Sequence, residues 1–206
     1  EPGVLIPRPE TEVLVDVALA GVDAATPNAD GEVRVLEVGV GTGCISLSIA
    51  TERPQTRVYA TDLSPQAIAL ATRNRDALDL QERVELIECD LVEGVPTELA
   101  RSFSVLVSNP PYIPTRVLEQ EVPAEVKGFE PELALDGGED GLDVYRRLLE
   151  AAPHMLLPGG MLCVELYEGH LDKAAHLAEE QGVWETVEVK EDLTHRPRIL
   201  VAHLAK

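Results

Sequence analysis

Val33-Arg34-Val35-Leu36-Glu37-Val38-Gly39-Val40-Gly41-Thr42-Gly43 reads as a short apolar strand running straight into a glycine loop. Val33 to Val38 has the composition of a buried strand, and Cys44 to Thr51 after the loop reads as a helix. Glycines let the backbone turn sharply and let a ligand approach it closely at the carboxyl end of a strand. The dinucleotide fingerprint G-x-G-x-x-G is not met. Counted from Gly39 it needs glycine at Cys44, and counted from Gly41 it needs glycine at Ser46. Taken alone, such a loop reads equally well as a tight turn, so the flanking segments decide its meaning.

Those segments alternate between strand-like and helix-like, which predicts an α/β fold with a largely parallel sheet. Residues 11–20 carry Val13, Leu14, Val17 and Ala18 at helical spacing, and 21–32 reads as a surface loop. Arg57 to Thr61 is the expected second strand. Ser64-Pro65 supplies an N-cap and a proline at the first helical position for a helix to about Leu78. Val84–Glu88 and Phe103–Val107 are the third and fourth strands. Residues 113–138 contain Pro114, Pro123 and Pro131, show no long periodic element, and read as a lid over the site. A helix over 140–152 follows, with Leu142, Tyr145, Leu148 and Leu149 on one side. Pro158-Gly159-Gly160 turns the chain into a fifth strand, Met161 to Leu166, and a helix runs from about Leu171 to Gln181. Two closing strands, near Val183–Lys190 and Arg198–Ala202, are joined through Asp192 to Pro197, a linkage short enough for an antiparallel hairpin. The expectation is one domain over 1–206, with 1–32 leading into a seven-stranded sheet.

Composition fits this reading. Hydrophobic residues make up 45% of the 206 and aromatics only 3%, so the core is mostly aliphatic. The formal net charge is −20, from 37 acidic and 17 basic residues, which opposes nonspecific attraction to phosphate backbones. Cys44, Cys89 and Cys163 are scattered, lie in or beside apolar runs and lack metal-ligand spacing, so reduced core thiols and no metal site are expected. No apolar run reaches transmembrane length and no secretory pattern opens the chain, so a cytoplasmic protein without membrane attachment is expected.

The strand tips carry the polar groups. Asp62 closes the second strand, 19 residues after Gly43, where a carboxylate can accept hydrogen bonds from both hydroxyls of a ribose. Asp90-Leu91 follows the third strand, where a carboxylate or the neighbouring backbone can meet a base's amino group while Leu91 packs on its ring. Ser108-Asn109-Pro110-Pro111-Tyr112 follows the fourth. Each proline fixes its own φ and lacks an N–H, and Pro111 pushes Pro110 toward an extended conformation. The carbonyls of Asn109 and Pro110, with the Asn109 side chain, then make a rigid notch suited to holding a planar –NH2 group by its two hydrogens. Each tip alone reads as a turn or a cap. Four consecutive strands ending in a suitable group point to a nucleotide-type ligand.

The form acidic-x-G-x-G-x-G over Glu37–Gly43 resembles the first motif of S-adenosylmethionine-dependent methyltransferases. The whole chain resembles the HemK-like family, the peptide-chain-release-factor glutamine methyltransferases. Beyond the glycine loop, Asp62 and Asn109–Ile113, the resemblance rests on Val4-Leu5-Ile6-Pro7-Arg8-Pro9-Glu10-Thr11-Glu12, on Glu130-Pro131-Glu132-Leu133-Ala134-Leu135-Asp136-Gly137-Gly138-Glu139-Asp140-Gly141-Leu142, and on Asp192-Leu193-Thr194-His195-Arg196-Pro197-Arg198. The NPPY stretch is shared with enzymes that methylate the exocyclic amine of adenine in DNA, and the two longer motifs narrow the match. Glu37 stands where many methyltransferases have Asp, and Val40 where the family often has Thr. Family members also carry an N-terminal helical domain that helps hold the protein substrate, and this chain starts almost on the catalytic motif.

The resemblance implies a Rossmann-like class I methyltransferase fold, S-adenosyl-L-methionine as cofactor, and a release factor as protein partner, methylated on the glutamine of its GGQ motif. It implies cofactor contacts from Gly39, Val40, Gly41, Thr42, Gly43, Asp62, Asp90, Leu91 and Asn109, and catalytic or substrate contacts from Asn109, Pro110, Pro111 and Tyr112. In this scheme the Asn109 side-chain oxygen and the Pro110 carbonyl accept the two amide N–H groups, and Tyr112 packs on the amide plane. Glu10 and Glu12 would orient the cofactor's amino-acid end or the lid, or merely place negative charge in a helix's first turn. Gly137-Gly138 with Asp140 reads as a turn and helix cap. Two other classes compete: an adenine amino-methyltransferase acting on nucleic acid through the same NPPY notch, which the net acidity disfavours, and a noncatalytic module retaining the fold, which the intact motifs disfavour.

Overall fold

A computed structural model describes residues 3–120 and 131–206. The strands are β1 (Val33–Val38), β2 (Thr56–Asp62), β3 (Val84–Glu88), β4 (Phe103–Ser108), β5 (Leu156–Glu165), β6 (Trp184–Glu191) and β7 (Pro197–Leu204). The helices are α1 (Thr11–Ala24), α2 (Cys44–Glu52), α3 (Pro65–Ala77), α4 (Thr115–Gln120), α5 (Asp143–Met155) and α6 (Leu171–Gln181). The seven strands form one sheet in the order β3-β2-β1-β4-β5-β7-β6. β1 to β5 pair in parallel, and β7 runs antiparallel to both β5 and β6, as the terminal hairpin required.

The central strand β1 lies between β2 and β4, so the chain order reverses there and a crevice opens at the carboxyl ends of β1 and β4. Two apolar layers cover the sheet. On one face Leu36, Leu106 and Leu162 pack with Leu148 of α5 and Ala174 of α6. On the other face Val35, Val105 and Cys163 pack with Leu14 and Ala18 of α1 and Ile49 of α2. Covering on both sides explains why the parallel strands read as apolar runs. Among the described residues no helix is long and apolar enough to cross a membrane.

Three boundaries differ from the sequence expectation, each for a local reason. α1 continues to Ala24 through Gly21, where a Cβ would lie 2.3 Å from the Met161 methyl. The glycine that read as a loop signal is a helix residue that lets α1 lie against β5. Second, β5 starts at Leu156, not Met161, and Pro158-Gly159-Gly160 is absorbed as an irregularity. Phe103 faces Leu156 whereas Val105 faces Met161. Third, α5 begins at Asp143 and includes Pro153, which lacks the N–H that the Leu149 carbonyl would accept. The Gln181 side-chain amide donates to that carbonyl at 3.1 Å instead, while its oxygen accepts from the Trp184 indole at 2.7 Å. Of the expected lid, residues 121–130, with Pro123 and Glu130, lie outside the described residues. Of the rest, Thr115–Gln120 is helical, and residues 135–138 are tied to the chain that follows NPPY as described below.

Candidate active site

The glycine loop is built by hydrogen bonds from its own backbone. Gly39 and Val40 N–H both donate to the Thr61 carbonyl at 2.8 and 2.9 Å, Gly43 N–H to the Val40 carbonyl at 2.7 Å. Gly41 N–H donates to Asp62 Oδ2 at 2.9 Å. Gly39 and Gly41 have φ of +83° and +53°, which L side chains adopt only under strain. A Cβ at Gly39 would meet nothing within 4 Å, so this glycine serves backbone conformation beside open space. Gly43 is the N-cap of α2 and has no side chain to cap it. Glu37 does so from β1: its Oε2 accepts from the Ser46 N–H at 2.9 Å and from the Ser46 hydroxyl. Burial pushes the Glu37 carboxyl up to about 8 against the pull of those two bonds, and the nearby Asp62 carboxylate adds to the rise.

Asp62 sits at the tip of β2 with its second oxygen accepting from the Ser64 N–H at 2.8 Å. Burial raises its pKa despite hydrogen bonds from Gly41, Ser64 and Leu63. Ser64 caps α3 through Ala67 N–H at 3.3 Å, so Asp62 is not needed as that helix's cap. At the tip of β3, Leu91 has φ +46°, a rare conformation for a branched side chain. The Asp90 carboxylate is paired with Arg147 of α5 at 2.8 Å, and the Asp90 carbonyl accepts from the Glu93 N–H at 3.0 Å.

The NPPY stretch leaves β4 where Ser108 Oγ donates to the Val38 carbonyl at 2.7 Å, joining the two strand ends. Beyond Tyr112 the chain is zipped to the LALDGG segment. Ile113 N–H donates to the Leu135 carbonyl at 3.0 Å and Gly137 N–H to the Ile113 carbonyl at 2.8 Å. The Thr115 hydroxyl and Gly138 N–H both donate to Asp136 Oδ1, at 2.7 and 3.0 Å. A Cβ at Gly137 would lie 2.7 Å from Tyr112 Cα, and one at Gly141 2.5 Å from the Tyr112 carbonyl oxygen. These glycines therefore do more than turn the chain: they allow a backbone to lie directly on NPPY. Asp140 does not cap the helix, whose N-cap is Leu142 without a side-chain cap bond; it closes the preceding turn by accepting from the Leu142 N–H at 3.2 Å, and its bonds from Arg146 and then Lys173 hold its carboxyl far below the usual range.

Gly39, Gly41, Asp62, Asp90, Leu91, Asn109, Pro110 and Pro111 converge on one cavity of ≈ 500 Å³, which Pro131–Ala134 also line. The other expected residues do not line it. Val40 is buried against Ala60 and Ala71. The Thr42 carbonyl accepts from the Asn74 side chain at 2.8 Å, and Gly43 packs against Leu47. The Tyr112 ring packs toward the α5 and α6 layer, and its phenol pKa is raised by burial. Glu10 caps nothing with its side chain and Glu12 is exposed, whereas Thr11 between them is buried and meets the site. Asn109 Nδ2 donates to Thr11 Oγ1 at 3.3 Å. Glu165, at the end of β5, is buried beside them: burial raises its carboxyl pKa, and the neighbouring Thr11 side chain, Arg198 and Asn109 side chain pull it back. Neither Thr11 nor Glu165 was singled out from sequence. The signal was present as a lone carboxylate in the apolar run Met161-Leu162-Cys163-Val164-Glu165-Leu166. No group of three or more His, Cys, Asp or Glu side chains among the described residues is placed to hold a metal ion.

Residues 20–126 match the model of the Methyltransferase small domain family. Among solved structures, a methyltransferase from Pyrococcus furiosus superposes with a TM-score of 0.64 at 19% identity, covering 93% of this chain and 83% of its own. An rRNA methylase from Streptococcus thermophilus gives a TM-score of 0.59 at 18% identity, covering 98% of this chain and all of its own. At that identity the likeness shows the fold alone, the class I methyltransferase fold. Curated relatives are closer in sequence. The release factor glutamine methyltransferase of Clostridium acetobutylicum is 38% identical over 205 residues, 98% of this chain and 68% of that protein. The protein of the same name from Moorella thermoacetica is 40% identical over 202 residues, and that from Geobacter sulfurreducens 45% over 181 residues, covering 68% and 59% of their lengths. With these relatives, and with the glycine loop, Asp62 and NPPY gathered on one cavity, the chain belongs to the release factor glutamine methyltransferase family.

Proposed function

We propose that this chain transfers a methyl group from S-adenosyl-L-methionine to the side-chain amide nitrogen of the GGQ glutamine of a peptide chain release factor. The observation that carries the reading is the placement of Asn109. It stands on the wall of the cavity shared by Gly39, Gly41 and Asp62, with its amide nitrogen turned toward Thr11. The residues fit the cofactor: Gly39 beside open space, with Gly41 on the same cavity, can admit its amino-acid end, Asp62 its ribose hydroxyls, and Leu91 with the neighbouring backbone its adenine. When bound, the cofactor supplies an electrophilic sulfonium methyl.

A glutamine amide nitrogen is a weak nucleophile because its lone pair is delocalised into the carbonyl. The chain must hold that nitrogen in place and stabilise the positive charge that develops on it. Asn109 Oδ1 and the Pro110 carbonyl accept the two N–H groups, which grow more acidic as the bond forms, so both acceptors favour the transition state over the ground state. Fixing two reactants can supply ~7–11 kcal/mol, so no strong general base is required. The zipper to Leu135–Gly138 keeps the two acceptors rigid. Tyr112 contributes through the fixed backbone on which Gly137 and Gly141 lie. A translation factor as substrate places the reaction in the cytoplasm.

The test is label transfer from S-adenosylmethionine to purified release factor, to its glutamine-to-alanine variant, and to DNA. Label in the factor alone, lost in its variant, is expected. Label in DNA but not in the factor would overturn the reading in favour of the amino-methyltransferase of nucleic acid.

A further inference from the structure

We propose that Thr11 and Glu165 are positioning residues for Asn109, fixing its side-chain amide with the nitrogen inward and the oxygen facing the substrate. The inference rests on the function proposed above. A side-chain amide is nearly symmetric in shape, so only its hydrogen-bond partners decide which end faces the cavity. Here the partners have a fixed polarity. Ser108 of β4 is in register with Val164 of β5, so the next residues, Asn109 and Glu165, leave adjacent strands together. α1 brings Thr11 over the pair: Asn109 Nδ2 donates to Thr11 Oγ1 at 3.3 Å. Glu165 is 1% exposed, its carboxyl pKa is raised by burial and drawn down by the neighbouring Thr11 and Asn109 side chains, and its Oε2 is buried with no hydrogen-bond partner among the described residues.

A carboxylate only accepts. Thr11 Oγ1 accepts from Asn109, so its own proton points elsewhere, with the Glu165 carboxyl beside it as an acceptor, and the pair asks for a donor from Asn109. A flipped Asn109 would aim its oxygen at two acceptors and its N–H groups at the N–H groups of the substrate amide. The carboxylate behind the nitrogen also polarises the Asn109 amide, placing more electron density on Oδ1 as the substrate nitrogen becomes positive. Burial leaves the Glu165 pKa raised, moderated by Thr11 and Arg198, while Glu10 pushes the same way as burial. In sequence the three residues are far apart; the sheet and α1 bring them together.

The experiment compares Thr11→Val, which removes the hydroxyl at nearly constant shape, with Thr11→Ser, which keeps it, and adds Glu165→Gln. Thr11→Val is expected to lower kcat about 10- to 100-fold, with the KM for release factor and the cofactor Kd within about 3-fold of the parent. Thr11→Ser should restore kcat to within about 3-fold, since the polarity of the chain is kept. A second readout needs no turnover. The side-chain amide resonance missing from Asn109→Ala is assigned to Asn109, and its hydrogen exchange should be slow in the parent and at least about 10-fold faster in Thr11→Val and Glu165→Gln. Unchanged kcat and unchanged exchange in Thr11→Val would overturn the inference, as would a Thr11→Ser variant as impaired as Thr11→Val. A parent protein that labels no release factor contradicts the function proposed above, and the exchange measurement still decides the positioning.

Discussion

Asp62 Oδ2 accepts the Gly41 N–H at 2.9 Å, so one carboxylate ties the tip of β2 to the glycine loop that follows β1. The other oxygen is held by the Ser64 N–H at 2.8 Å, which fixes the carboxylate plane. Asp62 thus shapes the cavity and offers remaining lone pairs to a ribose at once. Asp62→Ala is expected to weaken cofactor binding about 10- to 100-fold by calorimetry, the loss of one or two charge-assisted hydrogen bonds. At saturating cofactor, turnover should fall only a few-fold. An unchanged cofactor affinity would remove Asp62 from the binding site.

Glu37 makes stability depend on pH. Its carboxyl holds its proton to about pH 8 in the folded chain, against an ordinary 4.5. Between those values an unfolded Glu37 is less protonated than a folded one, so its contribution to stability is greatest below pH 4.5 and falls as pH rises toward 8. The slope is at most ~1.4 kcal/mol per pH unit for one proton. Asp62 and Glu165 are raised by burial in the same direction, but they remain in both proteins compared. Denaturant melts of the parent and of Glu37→Gln, taken from pH 5 to pH 8, should show the variant with the flatter profile. Parallel profiles would mean Glu37 is ionised throughout.

Gly141 tests the zipper under NPPY. A Cβ there would lie 2.5 Å from the Tyr112 carbonyl and 2.4 Å from the His170 ring, at φ +78°. Gly141→Ala must displace Tyr112 or strain its own backbone, so it should cost about 1–3 kcal/mol and also depress kcat. Thermal melting and steady-state kinetics on the same sample check both.

Gln181 supplies a control far from the chemistry. Its amide satisfies the Leu149 carbonyl that Pro153 leaves without a helical donor. Gln181→Ala should destabilise by about 1–3 kcal/mol in urea melts. Its kcat and KM should remain those of the parent.

The succession of strands and helices along the chain, the terminal hairpin and the polar strand tips were legible because each depends on local pattern: an apolar run, then glycine, Asp62, Asp90 or Asn109. What stayed hidden depended on neighbours distant in sequence. Gly21 looks like a loop residue until Met161 of β5 is seen beneath it. Asp90 looks free until α5 sets Arg147 against it. In the glycine loop only Gly39 and Gly41 face the cavity, and Val40 between them turns into the core although motif spacing groups the three. Thr11 stands between two charged glutamates at a helix start, and its burial, which gives it a role, is a tertiary property.

The central claim is that Asn109 holds the substrate amide during transfer. Single-turnover transfer of labelled methyl to purified release factor, with Asn109→Ala beside the parent and cofactor Kd measured on each, tests it most directly. The account predicts a rate at least about 100-fold lower in Asn109→Ala with cofactor Kd within about 3-fold. A rate near that of the parent at equal cofactor occupancy would contradict it.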